Sequence, residues 1–330
     1  MKIGKLSESA LQKVVFEQLH TRRDEVLVGP GIGEDCAALK LQEGEVFVTS
    51  TDPITGTVKE IGRLAVHVTA NDLASAGAET IGLMVTALLP PMIKEAQIKK
   101  MMQQINAECE KLNIMVLGGH TEITAAVTQP VLSVTGIGKV KEDELILSGG
   151  AKPGQDIVVT KYLGMEGTGI IANEKEDELK EWFSDTFIDD AKAFLDDISV
   201  VPEGLIARKY ASCMHDITES GVYGALWEIS KASGVGVEVC IEDIPLRQHT
   251  IEFCERYDLN PYQLISSGSM LITTDHGRTL VNEQAGIKAT IIGHTTDSRD
   301  KVIYRQGKAA NLEAPRQDEL YKIYSENNRR

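Results

Sequence analysis

The sequence predicts an α+β protein of two domains, and three observations carry that prediction. The chain has 330 residues, more than the roughly 250–300 at which a single core stops growing. Strand-like and helix-like segments follow one another in mixed order, not in the strict alternation that builds one doubly wound sheet. Between the two halves lies Ser148-Gly149-Gly150-Ala151-Lys152-Pro153-Gly154. This run is dense enough in turn formers to mark a boundary, giving domains over 1–150 and 151–330.

Each element follows from its pattern. Ser7 precedes apolar residues at 11, 14, 15 and 19, a helical period that predicts a helix over 7–19. A glycine-rich loop occupies 29–33, and 46–50 reads as a strand. Helices are predicted over 58–76 and 94–112, with strands at 81–89, 114–117 and 131–140. In the second half, strands at 156–160, 235–241, 268–274 and 288–293 mix with helices near 180–197, 203–211, 220–232 and 250–256. The last ten residues, ending in Arg329-Arg330, read as an exposed and dispensable helix end.

Composition narrows the function. Hydrophobic residues make up 42% of the chain, enough for packed cores. The formal charge is −15 with no face rich in Lys and Arg, which argues against nucleic acid as a partner. Aromatic residues at 5% argue equally against base-stacking platforms. An acidic chain still accepts a nucleotide, because magnesium mediates between carboxylates and phosphates. The cysteines at 36, 109, 213, 240 and 254 form no CxxC pair or zinc spacing and read as reduced thiols of a cytoplasmic protein. Cys36, Cys213 and Cys240 have apolar sequence neighbours and read as inert core thiols. The N-terminus lacks the apolar core of a signal peptide, and the most apolar run, 81–89, is about half a membrane span. No membrane association is expected.

Several segments carry chemistry. Gly29-Pro30-Gly31-Ile32-Gly33-Glu34-Asp35 is either an ordinary turn or a loop whose N–H groups meet phosphate oxygens, with Asp35 holding a cation over them. Asp52, in Ser50-Thr51-Asp52-Pro53, is either a ligand at a strand end or an Asp-Pro turn initiator. Asp72 falls on one helical stripe with Ile61, Leu64, Ala65 and Val68. An ionised carboxylate at the centre of an apolar face is costly unless a cation or several donors satisfy it. Asn71 beside it offers a neutral oxygen or an amide donor. Gly118-Gly119-His120-Thr121-Glu122 follows a strand; the double glycine suits close approach to a phosphate or ribose. His120 is either a general base or a hydrogen-bonded loop histidine. Asp216, in His215-Asp216-Ile217-Thr218-Glu219-Ser220-Gly221, precedes a helix for which Ser220 or Thr218 is a candidate N-cap.

Taken in order, the segments 31–39, 50–52, 71–74, 118–121, 148–154 and 216–221 resemble the aminoimidazole-ribonucleotide (AIR) synthase superfamily. That superfamily also holds selenophosphate synthetase, thiamine-monophosphate kinase and the hydrogenase-maturation factor HypE. The resemblance implies an N-terminal domain whose strands join those of a second subunit in a β-barrel, and an α+β C-terminal domain. It implies a homodimer that binds ATP beneath the glycine-rich loop, with Gly31, Gly33, Asn71, Gly118, Gly119 and Thr121 on the nucleotide. It places magnesium on Asp35, Asp52 and Asp72 and, by resemblance to selenophosphate synthetase, on Asp216. Asp72 and His120 become the catalytic pair for passing the terminal phosphoryl group of ATP to an acceptor.

The sequence also departs from family patterns. His120 stands where thiamine-monophosphate kinases tend to carry Asp, and no cysteine precedes Cys36 as a selenophosphate synthetase would require. The chain ends Glu326-Asn327-Asn328-Arg329-Arg330, without the carbamoyl-accepting cysteine of HypE. Segments 51–56 and 118–124 resemble HypE-related proteins lacking that tail. The acceptor is therefore expected to be a separate small molecule or a protein-borne group. The competing readings are a nucleotide-sensing protein without turnover and a small-molecule kinase like thiamine-monophosphate kinase.

Overall fold

Alternating side chains in 45–54 and 131–141 pair these segments into a ten-residue antiparallel ladder, from Glu45 opposite Lys141 to Ile54 opposite Leu132. The computed structural model describes residues 4–31, 36–55, 59–283 and 288–325. The chain divides into one unit of Met1–Ala74 and Ala78–Leu145, and another of Ser75–Gly77 and Ile146–Arg330.

The first unit contains β1 (Gly4–Lys5), α1 (Glu8–Val14), β2 (Val26–Val28), β3 (Ala38–Leu39), β4 (Glu45–Ile54), α2 (Ile61–Ser75), β5 (Glu79–Leu89), α3 (Glu95–Leu112), β6 (Met115–Ile123) and β7 (Val131–Lys141). Ser7 caps α1, its hydroxyl accepting from the Ala10 amide. The main sheet has the order β1-β6-β5-β7-β4 and is open within the chain, with β4 at one edge. The apolar run 81–89 is its central strand, β5. Pro53 is tolerated inside β4 because an edge strand has one side free of ladder bonds.

Helix α2 corrects the expected stripe. It is buried nearly all round, and its partly exposed positions include Val68 and Asp72, one turn apart. Asp72 therefore lies on the more open side of the helix, not at the centre of an apolar face. A buried ion network ties α2 to α3. Glu108, 3% exposed, receives His67 Nε2 at 3.2 Å, Arg63 Nε at 3.3 Å and Lys111 Nζ at 2.9 Å. Burial pushes its carboxyl upward, but the hydrogen bonds from His67 and Lys111 outweigh this and hold it down to about 2.

The second unit contains β8 (Asp156–Thr160), α4 (Met165–Glu174), α5 (Glu176–Leu179), α6 (Asp185–Lys192), α7 (Val201–Ala207), β9 (Cys213–Asp216), α8 (Gly221–Ser233) and β10 (Gly236–Cys240). It continues through α9 (Gln248–Arg256), β11 (Met270–Thr274), α10 (Gly277–Glu283), β12 (Ala289–Thr296), β13 (Lys301–Arg305), β14 (Lys308–Asn311) and α11 (Lys322–Ser325). Its sheet runs β14-β13-β10-β12-β8-β11-β9. Val222, Leu226 and Ile229 of α8 pack into one apolar core with Val159, Val237 and Leu271 of the sheet. A second core gathers Ile170, Ile188, Phe253 and Leu264 with Leu320 and Ile323 of the C-terminal segment.

Two expectations fail here. The last ten residues are not uniformly dispensable, because Ile323 is 2% exposed and sits in that second core; residues 326–330 lie outside the described residues. Cys36 is exposed and Cys240 half-buried, so of the three thiols read as core only Cys213 is one. Among the described residues no helix is long and apolar enough to cross a membrane.

The depressed Glu108 carboxyl predicts a pH dependence. Its stabilising contribution is present above its unfolded value of 4.5 and is lost as pH falls toward 2. Glu108→Gln should cost about 3 kcal/mol at pH 7, with the gap to wild type narrowing at pH 3. Urea midpoints at the two pH values check this; an equal gap at both would refute it.

Candidate functional site

The carboxylates of β4 and α2 meet at one hydroxyl. Ser50 and Asp52, two residues apart on β4, point to the same face, and Asp52 stands in ladder register opposite Val134. Asp52 is therefore a strand residue and not a turn initiator. Ser50 Oγ makes a short hydrogen bond to Asp72 Oδ2 and lies 3.4 Å from Asp52 Oδ2. The Ser50 hydroxyl thus joins two acceptor-only carboxyl groups at one point. Hard carboxylate oxygens gathered in this way are the donor set a magnesium ion takes. Among the described residues no group of three His, Cys, Asp or Glu side chains stands at metal-ligand spacing. Asp35 and Gly33 lie outside the described residues. Asn71, next to Asp72, turns into the interior and is fully buried.

A cavity of about 540 Å³ lies elsewhere in the same unit. Gly29, Pro30, Gly31, Cys36 and the β6 run from Gly118 to Thr121 line it, over an apolar floor that includes Phe16 and Met102. The 118–122 motif is part of β6 and not a loop beyond it, so alternation brings His120 and Glu122 to one face. His120 Nε2 is 2.9 Å from Glu122 Oε2. Gly119 has φ +146°, and a Cβ there would stand 1.9 Å from the Val85 carbonyl oxygen. The close approach that requires this glycine is thus that of β5.

Asp216 ends β9 in the second unit. It is 5% exposed, and its Oδ2 has no hydrogen-bond partner among the described residues. His215 Nδ1 lies 3.7 Å from Asp216 Oδ1, and His215 Nε2 lies 2.8 Å from Glu228 Oε2. Burial disfavours the charged ring, but bonds to Asp216 and Glu228 outweigh it and raise His215 to about 10. A buried carboxylate oxygen without a partner is costly, and a cation removes that cost. Ser220 precedes α8 but makes no side-chain capping bond. Its hydroxyl donates instead to the Arg316 carbonyl at 2.8 Å.

The structure thus brings Asp52 and Asp72 together, and gathers Gly31, Gly118, Gly119, His120 and Thr121 on one cavity. Asp216 belongs to the other unit. Ser50 and Glu122 join the candidate site although the sequence reading passed over them; the available signal was the two-residue spacing to Asp52 and to His120. Gly119→Ala should cost more than about 2 kcal/mol, whereas Gly118→Ala, whose Cβ would meet only the end of Met84 at 3.3 Å, should fold well. Thermal unfolding of both variants checks this; equal tolerance would show that β5 does not require the glycine.

The sequence matches the AIR synthase related protein family, with its N-terminal domain over residues 33–140 and its C-terminal domain over 152–305. A putative hydrogenase expression/formation protein from Methanocaldococcus jannaschii is 25% identical over 315 residues, spanning 91% of this chain and 90% of that one. The carbamoyl dehydratase HypE of Cupriavidus necator is 28% identical over 246 residues, spanning 72% and 68%. A solved structure of the hydrogenase maturation protein HypE in complex with ATP superposes with a TM-score of 0.76 at 18% identity, covering 97% of each chain. At that identity the likeness is one of fold: a two-domain AIR synthase-like architecture of mixed helix and strand.

Proposed function

The chain belongs to the AIR synthase related protein family, and we propose that it is a magnesium-dependent, ATP-binding enzyme of HypE-like type. It moves the terminal phosphoryl group of ATP to a small-molecule or protein-borne acceptor, or activates the acceptor with it. The observation that carries this reading is the pair of carboxylates, Asp52 and Asp72, converging on Ser50. Such transfer depends on positioning and charge neutralisation more than on a strong nucleophile. A HypE structure with ATP shares the fold.

Asp35, Asp52 and Asp72 in the N-terminal domain would hold Mg²⁺, and Asp216 in the C-terminal domain is separately assigned to a divalent cation. When bound, the ion neutralises phosphate charge. Gly31, Gly33, Gly118, Gly119 and Thr121 are assigned to the nucleotide, and the apolar lining of the cavity suits its base; the fully buried Asn71 has no surface to offer it. His120, held through Nε2 against Glu122, is assigned to take the acceptor's proton. The bond from the terminal phosphorus to its bridging oxygen breaks, ADP departs, and a new P–O bond forms on the acceptor. These residues divide between domains that we place at 1–150 and 151–330.

The acceptor is assigned to a separate molecule. Cys254 is itself no acceptor, being buried on α9 and pushed up to about 12 chiefly by burial. We place the protein in the cytoplasm as a homodimer whose subunits join their N-terminal sheets into a barrel. The open edge at β4 and the exposure of Phe47 (50%) and Leu27 (66%) support that association.

Asp72→Asn should weaken Mg²⁺-dependent ATP binding at least about tenfold with the fold intact. Asp52→Asn should act alike, and the two losses should not add, since both carboxylates act through shared ions. Calorimetry checks affinity, and ADP release across amides, carbamoyl compounds and phosphorylated heterocycles identifies the acceptor. Unchanged affinity in Asp72→Asn would sink the metal assignment, and a concentration-independent monomer by light scattering would sink the dimer.

A further inference from the structure

The loop that carries Asp216 is held from two sides. On one side the backbone of 266–269 grips it: the Ile217 amide donates to the Ser269 carbonyl at 2.9 Å, and the Ser266 amide to the Thr218 carbonyl at 3.2 Å. On the other side stands the C-terminal segment, nearly a hundred residues away in sequence. Asp318, 3% exposed, accepts the Ser220 amide on Oδ2 at 2.7 Å and the Leu320 amide on Oδ1 at 2.8 Å. Ser220 Oγ donates to the Arg316 carbonyl, and Tyr321 Oη donates to Glu219 Oε1 at 3.0 Å.

The loop needs this second grip. Ser220 and Gly221 both adopt left-handed backbone, with φ of 64° and 58°. For serine that conformation persists only when the surroundings over-determine it. Gly221 has no alternative residue, since a Cβ would meet the Tyr262 carbonyl oxygen at 2.6 Å. Helix α8 begins here without a side-chain cap of its own, and the Asp318 carboxylate accepts the amide of its N-cap residue, Ser220. The segment is anchored independently of Asp318, through Leu320 and Ile323 in the apolar core with Phe253 and Leu264.

We infer that residues 316–324 form a strap that positions the Asp216 loop, with Asp318 and Tyr321 as positioning residues for the cation carboxylate. This rests on the assignment of Asp216 to the cation. By fixing Ser220, the strap fixes the end of a five-residue loop whose start is Asp216, and so limits where the unpaired Oδ2 points. Residues 316–324 then act as a brace for the loop that follows Asp216.

The test uses the full chain, ATP and Mn²⁺ as the probe ion, comparing Asp318→Asn, Tyr321→Phe and Asp216→Asn. Asn keeps the shape of Asp318 but turns one acceptor into an NH₂ group facing an N–H donor. Asp318→Asn should raise amide exchange over 217–222 about tenfold or more. It should weaken Mn²⁺ binding, followed by the paramagnetic resonance of free Mn²⁺, about three- to tenfold, while the melting temperature stays within a few degrees. Tyr321→Phe, at a side chain in an exposed position, should shift both readouts the same way by about twofold, and it decides the matter if Asp318→Asn does not fold. Unchanged exchange and Mn²⁺ affinity in the strap variants, beside a loss in Asp216→Asn, would overturn the strap. Intact Mn²⁺ affinity in Asp216→Asn would remove Asp216 from the cation site instead, leaving the exchange data to decide whether the strap holds the loop.

Discussion

The hydroxyl of Ser50 stands between the carboxylates of Asp72 and Asp52 and brings a helix and a strand to one point. Like charges gathered at one hydroxyl do not attract each other, so the scaffold has to position them. It does so from both directions. Strand β4 is fixed by its ten-residue ladder to β7 and by the hydroxyl contact of Thr51 with Thr135 at 2.9 Å. Helix α2 is packed on almost every side and tied to α3 through Glu108. On the proposed reading a divalent cation would bind between them, and the burial of α2 and the length of β4 would then serve the chemistry as well as stability.

Much of this was legible in the sequence. Periodicity located α2, α3, β5, β7 and β8 to within a few residues, because each has a clear period and a turn signal at its ends. What failed was context. Asp52-Pro53 carries the signature of a turn, yet an edge strand absorbs it, since the missing proline N–H faces no partner. Gly118-Gly119 reads as a loop, yet it continues a strand, because the crowding that excludes a side chain at Gly119 comes from β5. Helix α4 went unseen because Gly167 and Gly169 lower its local propensity. Asp72 was singled out for a reason that does not hold. It is not buried at the centre of an apolar face, and it matters through Ser50, a contact across 22 residues that no local pattern encodes.

The second unit shows the same division. Asp216 was found by resemblance, and its buried, unpaired oxygen gives that choice a physical basis. The C-terminal segment was misread because charge at the extreme end hid the apolar pair Leu320 and Ile323 just before it. Asp318, which meets Ser220 from 98 positions away in sequence, is of the same kind as Ser50: a polar side chain whose role exists only after the chain has folded.

Everything proposed for this chain depends on its carboxylates binding ATP through a divalent cation. It is tested most directly by titrating ATP calorimetrically into the wild-type protein, once with Mg²⁺ and once with EDTA in its place. Saturable binding is expected with Mg²⁺ and a loss of at least about a hundredfold without it, because bare triphosphate would then face bare carboxylates. Equal affinity in the two titrations would contradict it.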